Sequence, residues 1–346
     1  MQLWIDAILI IVLALLIDRF VGEVPNAFHP LRWMGNILDA INKRIKNRTS
    51  RFTSVLGFLS YMLVFLLFSG IGLLITTTCR IIIGIHVDPQ IGEVVWLLST
   101  AFIFKISFAV FSFRKHCIPI CDDLDAGRVE DAAAKVQMIV SRNTKGMDPE
   151  HIASSCCETI SENLVDSVYS PTTYFGFLGL PGAVMFRCAN LMDAMWGYLN
   201  EKYARLGYFP AKFDDVLGFA TSRVSPYFVA LAGRILGMDW RAAVPAAKAE
   251  HTKTPSPNSG WSMTAVSATL GISMEKKDVY VMGTGPLPTT DDVRRCLKLV
   301  ETASMLFILT VCLAAYAIIG CWIQVQCEGL TYDIINAFLG IFGWSV

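Results

Sequence analysis

The chain has 346 residues, of which 54% are hydrophobic and 17% are charged, and its formal net charge is zero. Soluble domains carry about 25% charged residues, so this composition points to a membrane protein. A neutral chain gives no electrostatic reason to expect a nucleic-acid partner. The ten scattered cysteines have no CxxC or zinc spacing, which predicts neither a disulfide framework nor a zinc centre.

Four apolar segments approach the roughly 20 residues that a spanning helix needs. They cover about residues 3–17, 55–78, 94–113 and 303–325. Asp6 lies in the first segment and Lys105 in the third. Because no positively charged region precedes the first segment and no small-residue cleavage site follows it, we interpret it as a span and not as a signal peptide.

Lysines and arginines are concentrated in the loop after the first segment, whereas the short loop around residues 80–93 is not basic. The positive-inside rule then predicts a multi-pass protein of the cytoplasmic membrane, with its basic loop and central region in the cytoplasm. Both termini are expected outside.

The predicted fold is all-α: a polytopic integral membrane protein with a large, helical, cytoplasm-facing central region. We expect a membrane region with about three spans over 1–113, a catalytic region over 114–300, and a last span with its tail over 301–346. Within the central region, two amphipathic helices are predicted over about 122–140 and 151–168, the second starting at Asp148-Pro149. Apolar stretches at about 174–189 and 227–236 are expected to be core, re-entrant or interfacial helices. No strand pattern of weight is present.

Three carboxylates, Glu158, Glu162 and Asp166, recur at every fourth residue of the second predicted helix, with Asn163 beside them. This spacing predicts one acidic face, on which like charges repel. A divalent cation, a cationic substrate or an arginine from another segment would relieve the repulsion, and Mg²⁺ suits carboxylate and amide oxygens. A solvated acidic face is an equally good interpretation of the pattern.

Two further polar sets follow in the central region. One is acidic and amide-rich, and ordinary capping or surface charge explains any single member as well as a site does; it contains Asn190, Asp193, Asn200, Glu201, Asp214 and Asp215. The other is the loop 253–261, with two prolines, Lys253, Asn258 and Gly260. Such a loop turns N–H groups onto an anion or merely forms an ordered turn before a helix. His29 precedes Pro30 on extended chain.

These motifs together resemble the adenosylcobinamide-phosphate synthase family, known as CobD or CbiB, from about Asp18 to Glu301. The resemblance rests on short elements in a fixed order: Asp18, Gly22 and His29-Pro30; Glu158, Glu162-Asn163, Asp166 and Pro171; Leu180 to Ala183; Asn190 and Asp193; Tyr198 to Tyr203; Asp214-Asp215 and Arg223; and Ser256 to Trp261. The chain departs from the family pattern at Gly22-Glu23-Val24-Pro25 and at Ser262.

The resemblance implies an ATP-dependent ligase that joins a carboxylate of adenosylcobyric acid to aminopropanol or its O-phosphate, with ATP and Mg²⁺ as cofactors. It suggests Glu158, Glu162, Asn163 and Asp166 as catalytic residues, and Glu162 and Asp166 as metal ligands. Candidate substrate- or phosphate-binding residues are His29, Arg142, Asn190, Asp193, Asn200, Asp214, Asp215, Arg223, Lys253, Ser256, Asn258, Ser259 and Gly260.

The implied partners are these two substrates and the lipid bilayer, with a homo-oligomer or a complex with other late corrinoid enzymes left open. The competing hypothesis is a multi-span transporter or channel with an intramembrane acidic site. It explains Asp6 and Lys105, but it explains less well a polar central region, and no inverted repeats are present.

Overall fold

The structure is a computed structural model that describes residues 2–45 and 50–341. Its first ten helices are α1 (Gln2–Phe20), α2 (Pro30–Arg44), α3 (Arg51–Thr77), α4 (Ile83–His86), α5 (Pro89–Ile106), α6 (Ser112–Asp125), α7 (Val129–Val136), α8 (Pro149–Leu164), α9 (Ser170–Leu178) and α10 (Leu180–Trp196). The remaining elements are α11 (Tyr208–Leu217), α12 (Phe219–Ile235), α13 (Trp240–Glu250), α14 (Ser259–Leu270), β1 (Met274–Lys276), β2 (Tyr280–Met282), α15 (Thr290–Phe307), α16 (Leu313–Ala315) and α17 (Cys321–Gly340). The predicted all-α class is therefore confirmed, with one small hairpin as an exception.

The chain divides into two compact units. The first holds residues 1–108, 171–214 and 308–346, and the second holds 109–170 and 215–307. The expected single central region, 114–300, is thus interrupted, because residues 171–214 pack with the N-terminal helices. The Tyr61 hydroxyl on α3 donates to the Met185 carbonyl oxygen on α10 at 3.1 Å, and α10 also packs against α2.

Three helices in the described part of the chain are long and apolar enough to cross a membrane: Arg51–His86, Pro89–Ile106 and Thr290–Gly340. They contain the second, third and fourth predicted spans, although the third ends at Ile106 and not near Phe113. The first predicted span lies in α1, which also carries Asp18 and Arg19 and does not meet the same standard. Orientation in the membrane stays a prediction.

A polar network in the first unit joins α17 to α3 and α5. Glu328 is 1% exposed and accepts hydrogen bonds from Trp96 Nε1 at 2.9 Å and Gln324 Nε2 at 3.1 Å. Its second carboxylate oxygen lies 3.8 Å from Arg80 Nη1, and Arg80 also pairs with Glu93. A carboxylate in an apolar helix is costly unless it is paired, so this network holds the helices together.

Lys105, one of the two charges predicted inside the membrane, is also paired. Its ammonium lies 3.0 Å from Asp18 and 2.8 Å from Glu23, and both Lys105 and Asp18 are buried. A charge that two carboxylates neutralise stabilises the packing of α5 against α1. This pairing removes one argument for the transporter hypothesis.

In the second unit, the prediction of one helix over 122–140 is wrong. The segment forms α6 and α7, which are separated at Gly127, whose φ of +73° suits glycine and breaks the helix. The prediction of a helix from Asp148-Pro149 is confirmed, since Asp148 caps α8 by accepting from the His151 N–H at 2.9 Å. After Leu164 the chain continues through a wider π turn, Val165–Tyr169.

One short hairpin is the exception to the all-α architecture of the described residues. β1 and β2 form an antiparallel hairpin in which Lys276 lies directly opposite Tyr280. Asp278 in the connecting loop has a φ of +62°, a conformation that aspartate tolerates better than most residues. Met274 and Met282 are fully buried and attach the hairpin to α8 and α14.

Candidate functional site

A polar cavity of about 160 Å³ lies in the second unit, between the segment 139–142, helix α8 and the β1–β2 hairpin. Its charged and polar lining consists of Ser141, Arg142, Glu158, Thr159, Glu162, Asn163, Lys276 and Tyr280. Two carboxylates and two basic groups therefore share a small space. Pockets for drug-sized ligands hold roughly 300–1,000 Å³, so this one suits a smaller polar molecule.

Glu158 is fixed in place from three sides. Its carboxylate accepts from Arg142 Nη2 at 2.6 Å, from the Tyr280 hydroxyl at 2.9 Å and from the Ser154 hydroxyl at 3.2 Å. The side chain is nearly fully buried, so this charge depends on its partners. Three ways of neutralising the acidic face were expected. At Glu158 the neutralising group is an arginine from another segment, Arg142.

Glu162 lies one helical turn further on and remains uncommitted. Within the described residues its carboxylate makes no hydrogen bond or ion pair, although it lines the cavity and reaches solvent. The surrounding protein atoms desolvate it, and this raises the pKa of the carboxyl above its usual range. The Glu158 charge raises that pKa further, whereas Lys276 and Arg142 act to lower it. Glu162 is therefore suited to holding and releasing a proton.

Asn163 also lines the cavity, but Asp166 is not among the lining residues. The Asn163 amide donates to the Thr159 carbonyl oxygen at 2.9 Å and accepts from the Ser167 hydroxyl at 2.9 Å. Asp166 falls inside the π turn, so the regular spacing that predicted one face for all three carboxylates does not extend to it. The first two carboxylates share the cavity and the third does not line it.

The donor set does not form a metal cage. In residues 2–45 and 50–341, no three His, Cys, Asp or Glu side chains converge so that they could hold a metal ion. Glu158 is engaged by Arg142 and Tyr280, which leaves Glu162 as the uncommitted carboxylate of this cavity. Binding of Mg²⁺ by Glu162 and Asp166 stays a prediction.

Lys276 and Tyr280 are site residues that sequence reasoning missed. Lys276 is half-buried, lines the cavity and forms no ion pair among the described residues. Each strand of the hairpin has only three residues, which is too short for an alternating pattern to be recognised. The turn-forming Lys277-Asp278 between Met274 and Met282 was the one available signal.

A second polar cluster in the same unit gathers several predicted residues around Asn258. Its side-chain oxygen accepts from Arg223 Nη1 at 2.8 Å and from the Ser222 hydroxyl at 3.2 Å, and its amide donates to the Asp215 carbonyl oxygen at 2.9 Å. The Arg223 guanidinium stacks 3.6 Å from the Phe219 ring. Partial burial lowers the pKa of Arg223, which nevertheless stays charged.

The loop 253–261 is ordered around this cluster. The Ser256 hydroxyl accepts from the Asn258 and Ser259 N–H groups at 3.2 and 3.4 Å, and α14 begins at Ser259. A side chain at position 260 would collide with the His251 carbonyl oxygen, so glycine is required there. Lys253 is paired with Glu250 at 2.9 Å. The loop therefore combines an ordered turn with a basic cluster.

The remaining predicted residues belong to the first unit. His29 caps α2 by accepting from the Leu31 N–H at 3.2 Å, and it lies 3.7 Å from Glu23. Asn190 accepts from Arg187 Nη1 at 3.3 Å. The other three belong to helix α10, the turn after it and α11, namely Asp193, Asn200 and Asp214. Asn200 accepts from the backbone of the following turn.

The fold and this geometry define a polytopic α-helical membrane protein with an enzyme-like polar cavity. The chain belongs to the CobD/Cbib family, whose model matches residues 11–306, and the resemblance seen in the motifs is thereby confirmed. This membership indicates a function in cobalamin biosynthesis.

Similar proteins carry a consistent name. A "Probable cobalamin biosynthesis protein CobD" of Methanothermobacter thermautotrophicus is 32% identical over 306 residues, covering 88% of this chain and 96% of that protein. Proteins with the same name from Methanococcus aeolicus and Pyrococcus furiosus are 35% and 32% identical and cover 81% and 88% of this chain, and 88% and 97% of their own lengths. No solved structure matches the chain.

Proposed function

We propose that the protein is an amide-forming ligase of cobalamin biosynthesis. It joins a carboxylate of adenosylcobyric acid to aminopropanol or its O-phosphate and gives adenosylcobinamide or its phosphate. The observation that carries this proposal is the uncommitted pair Glu162 and Lys276, which lines one small cavity beside the fixed Glu158–Arg142 pair. A titratable residue with a perturbed pKa that lines a cavity is a candidate for an acid–base role.

The chemistry poses two problems at neutral pH. The amine is protonated and cannot attack, and the carboxylate is a poor electrophile. ATP hydrolysis would supply the activation of the carboxylate, with Mg²⁺ as the expected counterion of the phosphates. The residues of the cavity bear on the first problem.

Glu162 is suited to act as the general base. Desolvation raises its pKa above the usual range, so it removes a proton more readily than an ordinary glutamate would. An ammonium group that enters the cavity meets the Glu162 carboxylate, loses a proton to it, and becomes the nucleophile. Glu158 is held by Arg142 and Tyr280, and it positions the wall of the cavity without taking that proton.

Lys276 and Arg142 supply positive charge on the same cavity. Because Arg142 is already paired with Glu158, Lys276 is the cation that remains for a substrate. A molecule with an ammonium at one end and a phosphate at the other complements Glu162 and Lys276 at once. This favours the O-phosphate over the free amino alcohol.

The Arg223–Asn258 cluster would bind a further anion. A half-buried arginine, the ordered Ser256–Gly260 turn and the start of α14 all direct donors to one region. A phosphate group of ATP is the proposed ligand. The proposal also includes a corrinoid as the second substrate, association with the lipid bilayer and a central region that faces the cytoplasm.

The test is Glu162→Gln in protein purified in detergent. Gln keeps the shape of the side chain and removes the base, so corrinoid amide formation should fall about 10²- to 10⁴-fold while the protein stays folded. Glu150→Gln, on an exposed residue of the first turn of the same helix, is the matched control and should stay within about twofold. Full activity in Glu162→Gln would overturn the assignment of the base.

A further inference from the structure

A second cavity, unrelated to the polar one, lies in the first unit. It is a groove of about 470 Å³ between α2, α3, α5 and α10, a volume within the roughly 300–1,000 Å³ of known ligand pockets. Its lining is almost entirely apolar, with Met34, Phe68, Gly72, Ile103 and Val184 among its walls. Such a groove loses dispersion contacts if it stays empty.

The position of the groove indicates what fills it. α3 and α5 belong to helices that are long and apolar enough to cross a membrane. Ile71, Ile75 and Phe102 line the groove and are 44%, 43% and 43% exposed, so their outer sides face the hydrocarbon of a bilayer. A groove that opens between spanning helices is within reach of lipid acyl chains.

One charged side chain, Arg187, lines the groove within the described part of the chain. Asn190 accepts from Arg187 Nη1 at 3.3 Å and so orients the guanidinium. Trp33 lines the same groove and is 45% exposed, as expected of a tryptophan at a membrane interface. Guanidinium groups bind phosphate groups in a bidentate geometry, with two parallel N–H···O hydrogen bonds.

We propose that this groove binds one anionic phospholipid, with an acyl chain along the apolar walls and the phosphate on Arg187. The charge of Arg187 complements the headgroup, and the apolar walls complement the chain. The site also gives a use to two motifs that the reaction leaves unexplained, because Leu180 and Ala183 line the groove and Asn190 holds its arginine.

The chain offers a matched pair of variants. Gly72 lines the groove, and a Cβ added there meets nothing within 4 Å, so the helix backbone tolerates Gly72→Leu, which fills part of the groove. Gly70 lies on the same helix outside the groove, and its Cβ likewise meets nothing within 4 Å. Both substitutions raise helix propensity equally, so Gly70→Leu controls for the change in helix propensity.

The experiment is native mass spectrometry of the full chain released from nanodiscs of equal parts phosphatidylglycerol and phosphatidylcholine. Wild type and Gly70→Leu should retain one phosphatidylglycerol, and Gly72→Leu should retain roughly tenfold less. Arg187→Gln should keep a bound lipid but lose the preference for phosphatidylglycerol, because a charge-assisted contact accounts for roughly tenfold or more in binding.

The proposal would be overturned by wild-type protein without retained lipid, by equal retention in Gly72→Leu and Gly70→Leu, or by an unchanged headgroup preference in Arg187→Gln. Displacement of the lipid by adenosylcobyric acid would overturn it as well, since the substrate would then be the occupant. Melting temperatures of all variants show whether each is folded, and the Arg187→Gln result does not depend on filling the groove.

Discussion

Two buried glutamates, one in each unit, have nearly the same surroundings. Glu328 accepts from the Trp96 indole at 2.9 Å and faces Arg80, whereas Glu158 accepts from the Tyr280 hydroxyl at 2.9 Å and pairs with Arg142 at 2.6 Å. In both cases an aromatic donor and an arginine neutralise an acid inside the protein. Judged by the glutamate alone, the two regions would be given the same role.

Their neighbours separate them. Next to Glu328, Gln324 is fully used: it accepts from the Tyr316 hydroxyl at 3.0 Å and donates to Thr100 at 3.4 Å. Next to Glu158, the Glu162 and Lys276 side chains line a cavity and form no hydrogen bond or ion pair among the described residues. A buried acid with satisfied neighbours stabilises the fold, and a buried acid beside uncommitted groups marks a site.

The variant Glu158→Ala should have the largest effect and tests whether this glutamate both stabilises the fold and supports activity. The substitution leaves Arg142 without its carboxylate, and breaking a buried pair costs about 3 kcal/mol, the low end of the usual range because Arg142 keeps some solvent contact. Activity should be lost as well, since the cavity wall moves. Thermal and denaturant unfolding in detergent measure the first effect, and amide formation measures the second. An unchanged melting temperature would show that Arg142 is not held by this pair.

Glu328→Ala should give a smaller loss of stability. Arg80 keeps its contact with Glu93 at 3.4 Å, so the main cost is the unsatisfied Trp96 donor, about 1–3 kcal/mol. Amide formation per folded molecule should stay unchanged. Asp333→Ala, on an exposed residue of the same helix, is the control. Loss of turnover in folded Glu328→Ala would contradict the distinction between the two regions.

Lys276→Ala tests the uncommitted cation. Removing a charge-assisted contact costs about 1.5–3 kcal/mol, so the KM for the phosphorylated amine should rise roughly ten- to a hundredfold. The KM for the unphosphorylated amino alcohol should change little. Lys277→Ala, on the neighbouring exposed residue, should behave as wild type. Equal changes for the two amines would mean that Lys276 does not contact the phosphate.

The pH dependence of Glu162 gives the smallest effect. Because desolvation raises the pKa of this carboxyl, activity should fall as the pH falls through that raised value and the base becomes protonated. The stability of the fold changes with pH in the opposite direction to activity. The stabilisation that comes from protonated Glu162 is fully present below about pH 4.3, the pKa of glutamate in the unfolded chain, and is lost as the pH rises through the pKa in the folded protein. Melting curves of wild type and Glu162→Gln should therefore diverge with rising pH, and parallel curves would exclude the shift.

The sequence predicted the features that depend on local spacing. The start of α8 at Asp148-Pro149 and the shared position of Glu158 and Glu162 follow from helix capping and from the period of 3.6 residues. The position of Asp166 was not predicted correctly, because a π turn that begins one residue before it changes that period. Tyr280 was not recognised as a site residue, because strands of three residues show no recognisable alternation.

The long-range features were out of reach for a different reason. Residues 171–214 join the first unit through packing between segments far apart in sequence, and no local pattern reports such contacts. The pairing of Arg142 with Glu158 was one of three open alternatives, since spacing along a helix does not reveal which other segment approaches it.

The register of the hairpin places two functional groups side by side. Lys276 and Tyr280 are direct cross-strand partners, so both side chains leave the same side of the hairpin. A one-residue change in the length of the loop 277–279 would shift one strand by one position relative to the other and place Lys276 and Tyr280 on opposite sides of the hairpin, because side chains alternate with a period of two. Loop length therefore decides whether the cation and the phenol face the cavity together: a hairpin with one residue more or less at this point would present at most one of the two groups beside the acidic helix α8.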